Sequence, residues 1–163
     1  MPSASSFIRI CTVAAAGGLW FGVATAHAAQ ATKPALSIEQ AKAVGAAGTT
    51  EAKRLGTGGA FAIVDDGGHL LYLERLDGTF PAASTVSMEK ARTAATFRKP
   101  TADFENAVRG GRTALVAVDI MTPLQGGVPI VIDGQVVGAI GVSGATSAQQ
   151  DEDIAKVAAA AVR

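Results

Sequence analysis

The sequence predicts an α/β protein of the α+β kind, in which helices pack on one side of an antiparallel sheet. Tight turns rich in Asp and Gly join two pairs of apolar, β-branched runs, a pattern typical of β-hairpins. Segments with helical spacing of apolar residues precede, separate and follow these hairpins. The predicted order is helix, hairpin, helix, short helix, hairpin, helix, and tight turns between strands imply antiparallel pairing.

The first 28 residues have the features of a secretory signal peptide. A basic start through Arg9 precedes an apolar stretch over 10–26, and Ala26-His27-Ala28 supplies small residues for cleavage. We expect cleavage after Ala28 and not a retained membrane anchor, because the apolar run is short for a bilayer span. This predicts a periplasmic or secreted protein without membrane contact. Residues 29–35 are interpreted as a linker and residues 36–163 as one domain.

Composition excludes several kinds of site. The chain has one cysteine, Cys11, and two histidines, of which cleavage would leave only His69. Thiol chemistry, disulfides and a multi-histidine metal site are then excluded. Fourteen basic residues balance fourteen acidic ones without a basic block, so nucleic acid is not an expected partner.

The first half of the domain predicts a helix, a hairpin and a second helix. Ser37 and Gln40 fit a capping box for a helix reaching Leu55. Its expected core-facing residues are Ile38, Ala41, Val44, Ala52 and Leu55. A strand over 60–64 turns at Asp65-Asp66-Gly67-Gly68 and returns over 69–76, and Asp beside Gly is explained by turn chemistry.

Pro81 suits the first turn of the second helix, which continues over 82–98 until Lys99-Pro100 closes it. Its core-facing stripe carries small and polar residues, among them Ser87, Lys90 and Thr93. Two interpretations of Lys90 stay open. The side chain reaches out to solvent, or it forms part of a pocket with its small neighbours.

In the second half, a short helix over 101–108 leads into residues 113–125, predicted as a short edge strand or an irregular loop. The hairpin over 126–144 turns at Asp133-Gly134. Its second strand is uncharged, so we expect it to be covered on both faces. Glycines at 138, 141 and 144 leave room for a helix, a second subunit or a ligand. A last helix starts at Ser147 with a second capping box, and acids 151–153 are expected to be solvated.

Two glycine-containing motifs resemble known functional motifs but lack the required spacing. The spacing Gly138-x-x-Gly141-x-x-Gly144 matches neither the dinucleotide fingerprint nor the phosphate loop. Ser143 lies in the order G-V-S-G-A, whereas a nucleophile elbow needs G-x-S-x-G. Nucleotide binding and hydrolase chemistry are therefore not predicted.

Six sequence motifs follow one another along the chain: Val64 to Leu70, Arg75 to Gly78, Lys90 to Ala94, Gly126 to Ile130, Asp133 to Gly144, and Gln150-Asp151. Together they closely resemble the GlcG/HbpS-like family, also called the haem-degrading family and related to the C-terminal domain of PduO-type proteins. The resemblance covers about residues 36–163. It implies a five-stranded antiparallel sheet with flanking helices, profilin-like or PAS-like, and assembly into homo-oligomers. It also implies that some exported relatives bind haem and respond to iron or redox stress.

A haem site needs an apolar slot, an axial ligand and cations for the propionates. His69 is the first candidate to ligate the iron, and is otherwise a solvent-exposed turn residue. Arg75 and Lys90 are candidates to bind carboxylates of haem or of a small organic acid. Thr93 and Ser143 are candidates to donate hydrogen bonds. This assignment places the site between the 82–98 helix and the glycine-bearing strand.

The predicted function is therefore binding of haem or a related small ligand by an exported, oligomeric module without catalytic residues. Two alternatives stay open at this stage. One is a haem- or metal-assisted oxidative enzyme. The other is an accessory or structural oligomer of organic-acid metabolism that holds no ligand.

Overall fold

The computed structural model describes residues 33–162, and the predicted signal peptide lies outside this range. The elements are, in chain order, α1 (Ile38–Arg54), β1 (Ala60–Asp65), β2 (Leu70–Arg75), α2 (Ala83–Phe97), α3 (Thr101–Arg109), a 3₁₀ helix (Thr113–Ala117), β3 (Gly127–Ile132), β4 (Gln135–Ser143) and α4 (Ala148–Ala159). Within these residues, no helix is both long enough and apolar enough to cross a membrane.

The sheet is antiparallel throughout, with strand order β2-β1-β4-β3. The expected five strands are wrong for residues 33–162, where the sheet has four. Residues 113–125 form the 3₁₀ helix and a loop, and contribute no edge strand. The reason is that their backbone donors are used elsewhere: the amides of Thr122 and Gln125 donate to the side chains of Thr93 and Glu105. A strand would need those donors for its ladder.

The hairpin between β3 and β4 forms as predicted. Asp133 and Gly134 have φ of 49° and 73°, the left-handed conformations that a two-residue hairpin turn requires. Strand β4 pairs with β3 on one side and with β1 on the other. Residues 137–143 of β4 are buried, which confirms that its uncharged run is covered on both faces.

Helices cover both faces of the sheet, so the expectation that they pack on one side is wrong. Helices α1 and α4 pack together against one face, around Phe61, Ile63 and Ile140, and α2 packs against the other face. The α2 face is built from small side chains, namely Ala62, Ala91, Ala94, Ala95 and Ala139, with Val64. A strand that is apolar on both sides requires this second layer.

Gly141 lets α2 approach β4 until the two backbones are in contact. A Cβ atom at Gly141 would lie 2.0 Å from the carbonyl oxygen of Ser87 and 2.6 Å from the amide nitrogen of Ala91. Of the neighbours considered for this strand, a helix, a subunit or a ligand, the helix is the one that occupies the space. The interface between α2 and β4, called the seam below, therefore has no space for a ligand beside Gly141.

The predicted helix starts are confirmed, with corrections at their edges. Ser37 and Gln40 form the capping box of α1, and Ser147 caps α4 by accepting from the Gln150 amide at 3.1 Å. The Gln150 side chain accepts from Thr146, however, and so does not complete the second box. In α1, Ile38 and Leu55 are 45% and 37% exposed and do not face the core, because they lie at the two ends of the helix.

A buried ion pair joins the two sides of the sheet. Lys90 of α2 is only 4% exposed, and its Nζ donates to Asp151 Oδ2 and to the Val142 carbonyl, both at 2.9 Å. Asp151 Oδ1 accepts from the Ala145 amide, also at 2.9 Å. Lys90 thus reaches neither solvent nor a pocket. Asp151 and Glu152 are each 6% exposed, so the expectation that they are solvated is wrong.

Replacing Gly141 by Ala should lower the free energy of unfolding by about 3 kcal/mol. The added methyl group would meet backbone atoms of α2, which no change of rotamer can move. Urea denaturation measures the change, with Gly110→Ala as the control, since Gly110 is exposed and has a negative φ. A Gly141→Ala protein as stable as Gly110→Ala would contradict the close packing.

Replacing Lys90 by Met should cost about 3 kcal/mol or more, because it leaves the buried Asp151 carboxylate without its cation. The double variant Lys90→Met/Asp151→Leu removes both charges, so it should be more stable than the single variant. Urea denaturation of the wild type, Lys90→Met, Asp151→Leu and the double variant gives the coupling free energy between the two side chains. Additive effects of the two substitutions would show that the pair does not act as one unit.

Candidate functional site

His69 lies at the turn between β1 and β2, where the carboxylate of Asp65 organises the backbone. Asp65 Oδ1 accepts from the amides of Gly67 and His69 at 2.8 Å, which confirms turn chemistry for this segment. The His69 ring is 81% exposed, and Nδ1 lies 3.1 Å from Asp65 Oδ2. Burial by itself would raise the pKa of Asp65, but the hydrogen bonds from His69 and Gly67 lower it below its ordinary value.

Arg75 lies at the far end of β2 from His69. Its guanidinium donates to the Thr79 carbonyl at 3.2 Å and so braces the following turn. Six residues of extended chain place the Cα atoms of His69 and Arg75 roughly 20 Å apart. The structure therefore does not bring these two predicted site residues together.

Lys90, Thr93 and Ser143 are buried along the closed seam between α2 and β4. Lys90 is occupied by Asp151 and Val142, as described above. The Thr93 hydroxyl accepts from the Thr122 amide at 2.8 Å. Both residues bind other parts of the chain, and the space predicted between the helix and the strand is filled by α2.

A cleft of about 450 Å³ opens instead where α2 ends, between α3 and the 3₁₀ helix. Its apolar lining comes from Phe97, Phe104, Ala107, Leu115, Val118 and Met121, and its charged lining from Lys99, Asp103 and Arg112. The rings of Phe97 and Phe104 pack edge to face with centroids 5.4 Å apart. Apolar walls with a few charged groups are typical of small-molecule sites, and the volume lies in their usual range.

Two side chains fix the loop that forms one wall of the cleft. Thr93 holds the Thr122 amide, and Glu105 of α3 accepts from the Gln125 amide while pairing with Arg109. The Gln125 side chain also donates to Glu152 of α4. Residues Val118 and Met121 are therefore presented by a segment that is tied to α2, α3 and α4.

The sequence interpretation missed this cleft, and none of the five predicted site residues lines it. Its lining comes from α2, α3 and the 113–125 segment. In the sequence, the apolar residues of each segment taken alone look like ordinary core-facing residues. The 113–125 segment carried a signal, since a connection of this length between regular elements is often a binding loop.

The cleft has the components of a haem site except a histidine. Lys99 and Arg112 are cations suited to carboxylates, and the phenylalanine walls suit a flat apolar ring. Across residues 33–162, no group of three or more His, Cys, Asp or Glu side chains could hold a bare metal ion. A haem needs only one or two protein ligands, so this does not argue against it.

Comparisons with known proteins agree with this architecture. The chain is 50% identical to protein GlcG of Escherichia coli K12 over 112 residues, which are 69% of this chain and 84% of that one. A Streptomyces reticuli HbpS double mutant superposes with a TM-score of 0.76 at 28% identity, covering 96% of this chain and 99% of that one. A PduOC–haem complex superposes with a TM-score of 0.72 at 27% identity, covering 80% of this chain and 96% of that one.

The family described as haem degrading protein HbpS-like matches residues 36–160. The chain therefore belongs to the HbpS-like family.

Proposed function

We propose that this protein binds haem in the cleft between the end of α2, α3 and the 3₁₀ helix, and that it acts as a binding module without catalytic residues. The observation that carries the proposal is the cleft itself, apolar along its walls and bearing Lys99 and Arg112. The membership in the HbpS-like family and the haem carried by the PduOC neighbour support this ligand.

The residues of the cleft suit the two halves of a haem molecule. The porphyrin ring is flat and apolar, and Phe97, Phe104 and Leu115 would contact it. The two propionates are anionic, and Lys99 and Arg112 would bind them through charge-assisted hydrogen bonds. Asp103 leaves the charged lining with one net positive charge, so an anionic ligand is favoured over a cationic one.

The proposal includes export and self-association. The order of basic start, apolar run and Ala26-His27-Ala28 supports a periplasmic or secreted protein. Leu70 and Leu73 are 48% and 37% exposed on β2, which is an edge strand of the sheet. Edge strands with exposed apolar residues are suited to pairing with a second copy. Light scattering of the purified protein tests this part of the proposal.

Haemin titrated into the purified protein should give a saturable shift of the Soret band. Replacing Lys99 and Arg112 together by Gln should weaken haemin binding about a hundredfold, because each of the two charged hydrogen bonds contributes on the order of 1.5 kcal/mol. The matched control is Lys53→Gln/Arg54→Gln, which removes the same two charges from α1, away from the cleft.

Equal weakening in both double variants would show a general charge effect and contradict the assigned site. A wild-type protein without any saturable change would contradict haem binding itself. Loss of the Soret band with release of free iron in the presence of a reductant would favour the oxidative enzyme over the binding module.

The protein secreted from an expressing cell should begin at Ala29. Intact-mass measurement of the exported protein checks this expectation, because cleavage after Ala28 removes a defined mass. Replacing Ala26 and Ala28 by Leu should block processing, since signal peptidases require small residues at these positions. Retention of the full chain in the exported protein would contradict the assignment.

A further inference from the structure

We infer that Met121 is the side chain that coordinates the haem iron. This inference rests on the proposed function and names the iron ligand within the same cleft. It differs from the sequence-based expectation, which gave that role to His69.

The donors that line the cleft are few. Its nine lining residues include no histidine, cysteine or tyrosine, which are the common protein ligands of haem apart from methionine. Arg112 has no lone pair to offer. Three side chains with donor atoms remain: Lys99, Asp103 and Met121.

Burial and charge distinguish these three donors. Lys99 and Asp103 are exposed, whereas Met121 is half-buried on the loop wall. The ammonium group of lysine has three N–H donors and no lone pair for iron, and the exposed Asp103 carboxylate is well solvated by water. The Met121 thioether is neutral, keeps a free lone pair at every pH and loses little solvation on coordination.

The backbone of Met121 is fixed before any ligand binds. Its amide donates to the Val118 carbonyl at 2.9 Å, and the next amide, that of Thr122, donates to the buried Thr93 hydroxyl at 2.8 Å. Three residues after Thr122, the Gln125 amide donates to the Glu105 side chain. A donor on an anchored segment is favoured because less conformational freedom is lost on binding. Thr93 is thus a positioning residue.

His69 is poorly placed for the same role. Its ring is 81% exposed, contacts Asp65 and does not line the cleft. An iron atom held there would lie outside the apolar walls that the porphyrin requires.

The chemistry of a thioether gives the inference its readout. Sulfur is a soft donor that binds ferrous iron better than ferric iron, so methionine ligation raises the reduction potential of a haem. Leucine has nearly the same volume as methionine and no donor atom, so Met121→Leu preserves the wall and removes the ligand.

The test uses the full-length protein loaded with haemin, compared with Met121→Leu. The variant should show a lower reduction potential and bind haemin about tenfold more weakly. Its affinity for protoporphyrin IX, which lacks iron, should stay within about twofold of the wild-type value. Met88→Leu is the matched control, since Met88 lies on α2 against the alanine cluster and does not line the cleft.

The outcomes separate the inference from the proposed function. An unchanged reduction potential and haemin affinity in Met121→Leu would overturn the iron ligand and leave haem binding intact. A lower reduction potential in His69→Ala but not in Met121→Leu would do the same. Wild-type protein that binds neither haemin nor protoporphyrin would overturn the proposed function together with the inference.

Discussion

The direct contact between the backbones of α2 and β4 is the constraint on which the rest of the structure depends. Gly141 has no side chain, so Ser87 and Ala91 of α2 approach the strand to within van der Waals contact. This close approach brings the polar residues of the same helix face into the interior, where each needs a partner. Lys90 finds Asp151 and Val142, and Thr93 finds the Thr122 amide. The position of α4 and the path of the 118–125 loop follow from these bonds.

The same contact determines where a ligand can bind. Because α2 fills the space above β4, a pocket along that seam would require the helix to separate from the sheet. Phe97, the last residue of α2, packs against Phe104 of α3 and lines the cleft together with residues of the 3₁₀ helix. The end of α2, α3 and the 3₁₀ helix all contribute residues to the cleft that opens there. The closed seam and the open cleft are therefore two results of one packing arrangement.

Local chemistry accounts for what the sequence predicted correctly. The Ser37 cap, the Asp133-Gly134 turn and the Asp65 turn each depend on residues within four positions of one another. The strand count, the second helical layer and the buried acids depend on distant partners. The solvated position expected for Asp151 rested on its place in the first turn of α4, and its partner Lys90 is 61 residues away. The cleft is assembled from three segments, so no single pattern in the chain describes it.

The small and polar residues on the core-facing stripe of α2, together with the glycines of β4, favour a ligand between the two elements in the sequence, and the structure gives the polar residues another role. A buried lysine or threonine must be hydrogen-bonded, but the partner can belong to the protein as well as to a ligand. In this chain the partners of Thr93 and Lys90 lie 29 and 61 residues further on. The stripe thus binds the chain to itself, and Thr93 influences the cleft only through the loop that it holds. A polar stripe on a helix that faces a glycine-bearing strand is for this reason better evidence of tight internal packing than of a binding site.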